Sequence, residues 1–313
     1  MPSLHILNVG HGNSAVIADG QRATVIDAGP GADLLAFLVR TGLKTIDALI
    51  LSHADRDHIA GAIAVLGSDE INIKSVYLNT NSQKGTDIWI DLLTALQDQH
   101  NRHKLIFEVG LTPHLNGRLN QGAVFVEVLA PSQFIAARGP GSKDLAGRTL
   151  TSNSVSAVIR ITYHGTPVAM FPGDIDTVGL ENLLENRNDV DAWLAVFPHH
   201  GGKPGPYDAG EFAIKFCSSV HPEIVVFSVS ESEIGFPNVA VVEAVEATLS
   251  MSCMLTTRPC NTLREHIRKS KRDSHRDGVG NIWVDLDVAP LKVRYGATVD
   301  PSPPADVAQR EGR

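Results

Sequence analysis

The segment LILSHADRDHIAGA, Leu49 to Ala62, is the stretch on which the fold turns. His53, Asp55, Asp57 and His58 place four side chains able to bind a metal ion within six positions. The plain alternative is a solvated turn whose polar residues cap a following helix. IDALILS, the run leading into the loop, is almost continuously apolar, as expected of a strand buried on both faces. The four polar residues therefore sit at the C-terminal end of a buried strand.

Outward from this loop, the chain reads as alternating strands and helices. SLHILNV, SAVIAD and ATVIDAG, arranged around the Gly-rich turn GHGN, predict an antiparallel meander. ADLLAFLVRTGL has helical apolar spacing and stops at Gly42. IKSVYLN predicts a strand, DIWIDLLTALQDQH a helix, and AVFVEVLA a strand closed by Pro131. The second half begins again: SAVIRITYH and PVAMFPGD are two strands joined around Gly165, GLENLLENR is a helix, and DAWLAVFPHHGG is a strand entering a second histidine-bearing loop. HPEIVVFSV, a helix from about Asn238 to Ser250, and the strands CMLTT and NIWVDLDV complete the pattern. The Pro-rich polar tail from Val299 is expected to be disordered.

Composition narrows the function classes. With 313 residues, 43% hydrophobic and 20% charged, the chain has the make-up of an ordinary globular protein of one large or two modest domains. No apolar run approaches the length of a membrane span, and no signal segment opens the chain, so a cytoplasmic protein is expected. Three cysteines, Cys217, Cys253 and Cys260, argue against a disulfide framework. A net charge of −8 gives no overall attraction to a polyanion, so any contact with nucleic acid must be local. Residues 258–278 fit that role, with Arg258, Arg264, Arg268, Lys269, Lys271, Arg272 and Arg276. The interspersed acids Glu265, Asp273 and Asp277 fit a solvated helix equally well. The loop PGSKDLAGRTLTSNS reads either as a flap over the site or as a plain surface connection.

Three further strand ends carry polar side chains suited to a metal site: Asp174 in FPGD, His199 and His200 in FPHHGG, and Asn153 in TSNSVS. They converge with the first loop only if their strands share a sheet edge. Imidazole and carboxylate together suit zinc, manganese or iron, and a carboxylate such as Asp174 can bridge two ions. Hydrolysis is the natural chemistry of such a site, because a bound water loses its proton near neutral pH.

These segments, together with NVGHGNSAVI and HPEIVVFSVSESEIGFPN, resemble the metallo-β-lactamase superfamily, and within it the hydrolase domain of the ComEC-type competence proteins. The resemblance implies an α/β fold, an αββα sandwich of two mixed β-sheets flanked by helices, with the site at one edge between the sheets. It implies one hydrolase domain over 1–298, with 258–278 as a basic insertion and 299–313 as the tail. Carried over by position, it assigns His53 and Asp55 to one metal and Asp57 and His58 to the other, with Asp174 as bridge and His199 completing the set. Asp57 then also acts on the attacking water, His200 serves catalysis on the substrate side, and His11 and Asn153 are substrate-binding candidates. The implied cofactors are two divalent metal ions, zinc or manganese. The implied activity is phosphodiester hydrolysis, foremost by a nuclease acting on DNA. A small phosphoester or lactone-like substrate is the alternative, as is a regulatory subunit whose site needs a protein partner.

This chain has Asp55 where the usual superfamily loop has a second histidine, and the competence branch shares that aspartate. Asn153 stands where many members have another histidine; both changes harden the donor set toward manganese. Asn8-Val9-Gly10-His11-Gly12-Asn13 replaces the relatives' Asp-Val-Gly-Gln-Gly-Asp, and Gly235-Phe236-Pro237 replaces their Gly-His-Pro. The competence proteins join this domain to a transmembrane channel, so a role in DNA uptake does not follow for this chain.

Overall fold

The computed structural model describes residues 1–187, 189–230, 235–249, 253–266 and 278–296. Strands β1 (Ser3–Ile6), β2 (Ala15–Asp19) and β3 (Arg22–Ile26) form the antiparallel meander. Helix α1 (Asp33–Thr41) stops where Gly42 takes a left-handed φ of 71° and returns its N–H to the last carbonyls. The buried strand β4 (Thr45–Ile50) then pairs with β3 in parallel. Next come α2 (Arg56–Leu66), β5 (Asn72–Ile73), β6 (Ser75–Leu78), α3 (Asp87–Asn101) and β7 (Ile106–Val109).

The second half supplies β8 (Val124–Ala130), the short α4 (Gln133–Arg138), the hairpin β9 (Val158–Tyr163) and β10 (Thr166–Phe171), and α5 (Thr177–Asn186). It continues through β11 (Leu194–Val196), α6 (Ala209–Val220), β12 (Ile224–Phe227), α7 (Val239–Thr248), β13 (Cys253–Thr256) and α8 (Asn261–His266). The hairpin β14 (Asn281–Asp285) and β15 (Val293–Gly296) returns to the first sheet, with β14 antiparallel to β1.

One sheet runs β15-β14-β1-β2-β3-β4-β6-β7, with β5 beside β4; the other runs β13-β12-β11-β10-β9-β8. Strand alternation sorts the side chains into layers. Leu4, Ile17, Ile50, Ile159, Ile161 and Val226 meet between the sheets. The other face of the first sheet packs on α1, α2 and α3 through Phe37, Leu38, Ile59 and Leu92. The second sheet packs on α6 and α7 through Phe197, Phe212, Phe216 and Val241. Two mixed sheets flanked by helices make an α/β sandwich of the expected kind. Among the described residues no helix is long and apolar enough to cross a membrane. Of the basic stretch, residues 267–277 lie outside the described residues, as does the tail from Val299.

His5 shows what this layering does to a polar residue. It faces the helix side of β1, only 7% exposed, with its ring centroid 5.1 Å from that of Phe37. Burial lowers its pKa to about 4. The unfolded chain therefore takes up this proton near pH 6.5 and the folded chain does not. The destabilisation is absent above pH 6.5, grows as the pH falls, and is complete below about pH 4 at about 3 kcal/mol. Urea unfolding between pH 7 and 4 should show this loss, and His5→Leu should flatten it; an unchanged slope in the variant would rule out His5 as its source.

Candidate metal centre

The loop after β4 does not serve α2 as a cap. Asp55 occupies the N-cap position, yet its side chain accepts no bond from the helix. Asp55 Oδ1 instead receives Lys84 Nζ at 2.5 Å and Ser152 Oγ at 3.3 Å. Asp57 and His58 occupy the first turn of α2, which is tied to the end of β3 by the bond from Ala28 N to the His58 carbonyl.

Asp174 follows β10 through Gly173. A Cβ at Gly173 would lie 2.3 Å from Ser156 Oγ and 2.8 Å from Ser52 Oγ, so only glycine lets the chain pass here with φ at 54°. The turn Pro198–Gly201 follows β11, and His199 N donates to the Gly173 carbonyl, locking the two loops together. His199 and His200 both adopt left-handed backbone angles, φ 50° and 53°. That backbone turns His200 fully inward, while the His199 side chain stays 31% exposed.

The side chains meet around Asp174, itself 2% exposed. Its Oδ1 lies 3.0 Å from His58 Nε2 and 3.7 Å from His200 Nε2; its Oδ2 lies 2.9 Å from His199 Nδ1 and 3.7 Å from His53 Nε2. Asp57 Oδ2 is 3.1 Å from His200 Nε2 and 3.8 Å from His58 Nε2. One ligand atom from each of Asp57, His58, Asp174 and His200 falls within 4.8 Å of the others. His200 joins this inner group, while His199, the ligand favoured from the sequence, lies against the other oxygen of Asp174. His53, Asp55 and His199 line an outer half around the other oxygen of Asp174.

The residues fit a cation. His53 Nε2, His58 Nε2 and Asp174 Oδ1 are buried and make no hydrogen bond of acceptable geometry, the 3.0 Å approach between the last two included. A divalent ion satisfies such lone pairs. Both inner histidines are also oriented from behind. His200 Nδ1 donates to the Ser228 carbonyl at 2.8 Å, and His58 Nδ1 faces Asp27 Oδ2 at 2.7 Å. These contacts fix the ring and direct each Nε2 at the cluster. Asp27, absent from the residues marked in the sequence, also accepts from Ser52 N at 2.7 Å and Ser52 Oγ at 2.9 Å. Its signal was an aspartate at the end of a strand beside the ligand loop.

Electrostatics follow from four carboxylates crowded about buried imidazoles. Burial opposes a charge on His58, but Asp174 and Asp27 outweigh it and hold its pKa well above the usual histidine value. Burial likewise opposes ionisation of Asp57 and Asp174. The bond from His200, with the charge of His58, holds Asp57 below the carboxylate range, and His58 and His200 do the same for Asp174. His53 is pushed down, first by burial and then by His58.

At the rim, His11 Nε2 is 4.0 Å from Asp57 Oδ2, and its ring lies against His200 and Phe236. Asn153 Nδ2 lies 3.4 Å from His199 Nδ1. The loop around Asp144 is no loose flap: Arg148 bonds Asp144 and reaches Glu181 on α5 at 2.7 Å.

A profile of the metallo-β-lactamase superfamily matches residues 7–186. The chain belongs to that superfamily, whose members are metal-dependent hydrolases. No curated protein sequence matches it. Among solved structures it is similar to zinc-bound PqqB from Methylobacterium extorquens, with 11% identity and a TM-score of 0.48 over 80% of this chain and 97% of that one. It is also similar to a diphosphatase of the PhnP family, with 12% identity and a TM-score of 0.45 over 90% and 97% of the two chains. Human tRNase Z, short form, shows 12% identity and a TM-score of 0.39 over 73% and 93%.

Proposed function

We propose that this protein is a metal-dependent phosphodiester hydrolase of the ComEC-like branch, a nuclease acting on DNA. The observation that carries the reading is the convergence of Asp57, His58, Asp174 and His200 on one buried point, with Asp55 close by. Three carboxylates beside three imidazoles make a mixed oxygen and nitrogen set, which suits manganese as well as zinc. Asp57, His58, Asp174 and His200 would hold an inner ion; His53, Asp55 and Asp174 Oδ2 offer donors for a second. A bound ion supplies a water acidic enough to attack at neutral pH and polarises the phosphoryl oxygen.

The protein's own groups do the rest. Asp57, held anionic, orients the attacking water through Oδ2. Burial disfavours a charge on His199, but its bond to Asp174 raises its affinity for a proton, and its exposed ring can deliver that proton to the leaving oxygen. Asn153 and His11 stand where substrate would enter. A reducing, cytoplasmic setting is in keeping with three free cysteines.

Incubation with plasmid and single-stranded DNA in manganese tests the reading. Cleavage is expected, with a drop of about a thousandfold or more in Asp57→Ala and His58→Ala, as for loss of groups acting directly on the transition state. Intact DNA with metal bound would overturn the nuclease. It would favour a small phosphoester or lactone-like substrate, which the net charge of −8 would repel less than a polyanion. A protein that binds no metal would point to the regulatory subunit.

A further inference from the structure

The two halves of the site are not equivalent, and the difference lies in one lysine. Lys84 sits in the loop between β6 and α3, with its ammonium on Asp55 Oδ1 at 2.5 Å. Ser152 Oγ, itself held by the Asn81 side chain at 3.0 Å, donates to the same oxygen. That oxygen is also the one facing the site, 3.9 Å from His53 Nε2. A carboxylate oxygen already accepting from an ammonium and a hydroxyl has little lone-pair capacity left for a metal. Asp174 Oδ2 is committed too, since it meets His199 Nδ1 at 2.9 Å. No lysine or arginine among the described residues pairs with the inner carboxylates. Among the described residues, the ion pairs of Asp57 and Asp174 are all with histidines.

We propose that Lys84 is a built-in cation for the outer half of the site. The chain then retains one divalent ion, in the inner half, and admits a second only when that ion displaces the Lys84 ammonium from Asp55. The proposal rests on the metal-centre reading above. It leaves His53 Nε2, buried and without a hydrogen bond, as the donor that receives the second ion once Lys84 has moved. One ammonium supplies a single charge where a metal supplies two, so Asp55 is neutralised without a second Lewis acid being built in.

The test counts metal directly. Protein loaded with manganese, dialysed into ion-free buffer and assayed by elemental analysis should retain one ion per chain. Calorimetric titration should then show a second, weaker site. Lys84→Met should retain two ions, with the weaker site strengthened by about ten- to a hundredfold, the equivalent of one charge-assisted hydrogen bond. Lys84→Arg, which keeps the charge, should retain one. Asp55→Asn should still retain the inner ion, which keeps the test open if Lys84→Met does not fold. Two tightly held ions in the unaltered protein would overturn the role of Lys84 and leave the metal centre standing. A folded Lys84→Met with one ion and an unchanged second affinity, or loss of the retained ion in Asp55→Asn, would also overturn it. No retained ion in the unaltered protein would overturn the metal centre itself.

Discussion

Asp174→Ala is expected to give a folded protein that gains no thermal stability from manganese or zinc and has no hydrolytic activity. Its two oxygens face His53, His58, His199 and His200, so one carboxylate joins the inner and outer halves of the site. In the unaltered protein, an ion at a hundred times its dissociation constant adds about 2.7 kcal/mol to folding, a rise of roughly 5 °C in Tm for a chain of this length. Without Asp174 the inner set falls to Asp57, His58 and His200, and affinity should fall by more than the ten- to hundredfold typical of an outer partner. The fold survives because the Asp174 side chain packs in no apolar cluster, and its backbone N–H to Ser156 Oγ is untouched. His58 loses the main anion that raises its pKa, so burial then favours its neutral ring more than in the parent. Differential scanning fluorimetry with and without each metal decides the matter: a Tm shift in the variant equal to that of the parent would remove Asp174 from the ligand set.

Much of this arrangement is legible in the sequence because it is local. The apolar run IDALILS followed by His53, Asp55, Asp57 and His58 fixes a buried strand, a loop and the ligands it carries, since all are adjacent along the chain. Asp174 is legible for the same reason, as the residue that ends a strand after Gly173. What escapes is decided by contacts between distant segments. The choice between His199 and His200 depends on a left-handed backbone at both, which two adjacent histidines do not announce. Asp27 lies 31 residues from His58 and meets it only because β3 and β4 pair in parallel. Lys84 reaches Asp55 from a loop with no motif of its own. In the fold, β7 escapes because its residues are exposed or half-buried without alternation, whereas the spacing of Phe212, Ala213, Phe216, Cys217 and Val220 marks α6 plainly enough to have been read.

The largest effect expected from a residue that touches no ion is that of Asp27→Asn. Asp27 takes a left-handed φ of 57°, which asparagine tolerates at least as well, so the backbone is not the variable. The change is in what the side chain can accept. Both carboxylate oxygens are occupied, one by Ser52 N and the other by Ser52 Oγ and His58 Nδ1. An amide keeps one acceptor for Ser52 N and turns an N–H₂ toward His58, where the carboxylate had received a proton. His58 then accepts at Nδ1 and carries its proton on Nε2, the atom that faces Asp174 and Asp57. A ring protonated there cannot bind a metal, so affinity should fall by about ten- to a hundredfold. Folding should lose about 2 kcal/mol from the weakened charge-assisted bonds. Activity should recover at high manganese, unlike that of Asp174→Ala. Nitrogen-15 spectra of the imidazoles should show the His58 tautomer reversed; an unchanged tautomer with weakened binding would mean that Asp27 acts through Ser52 instead.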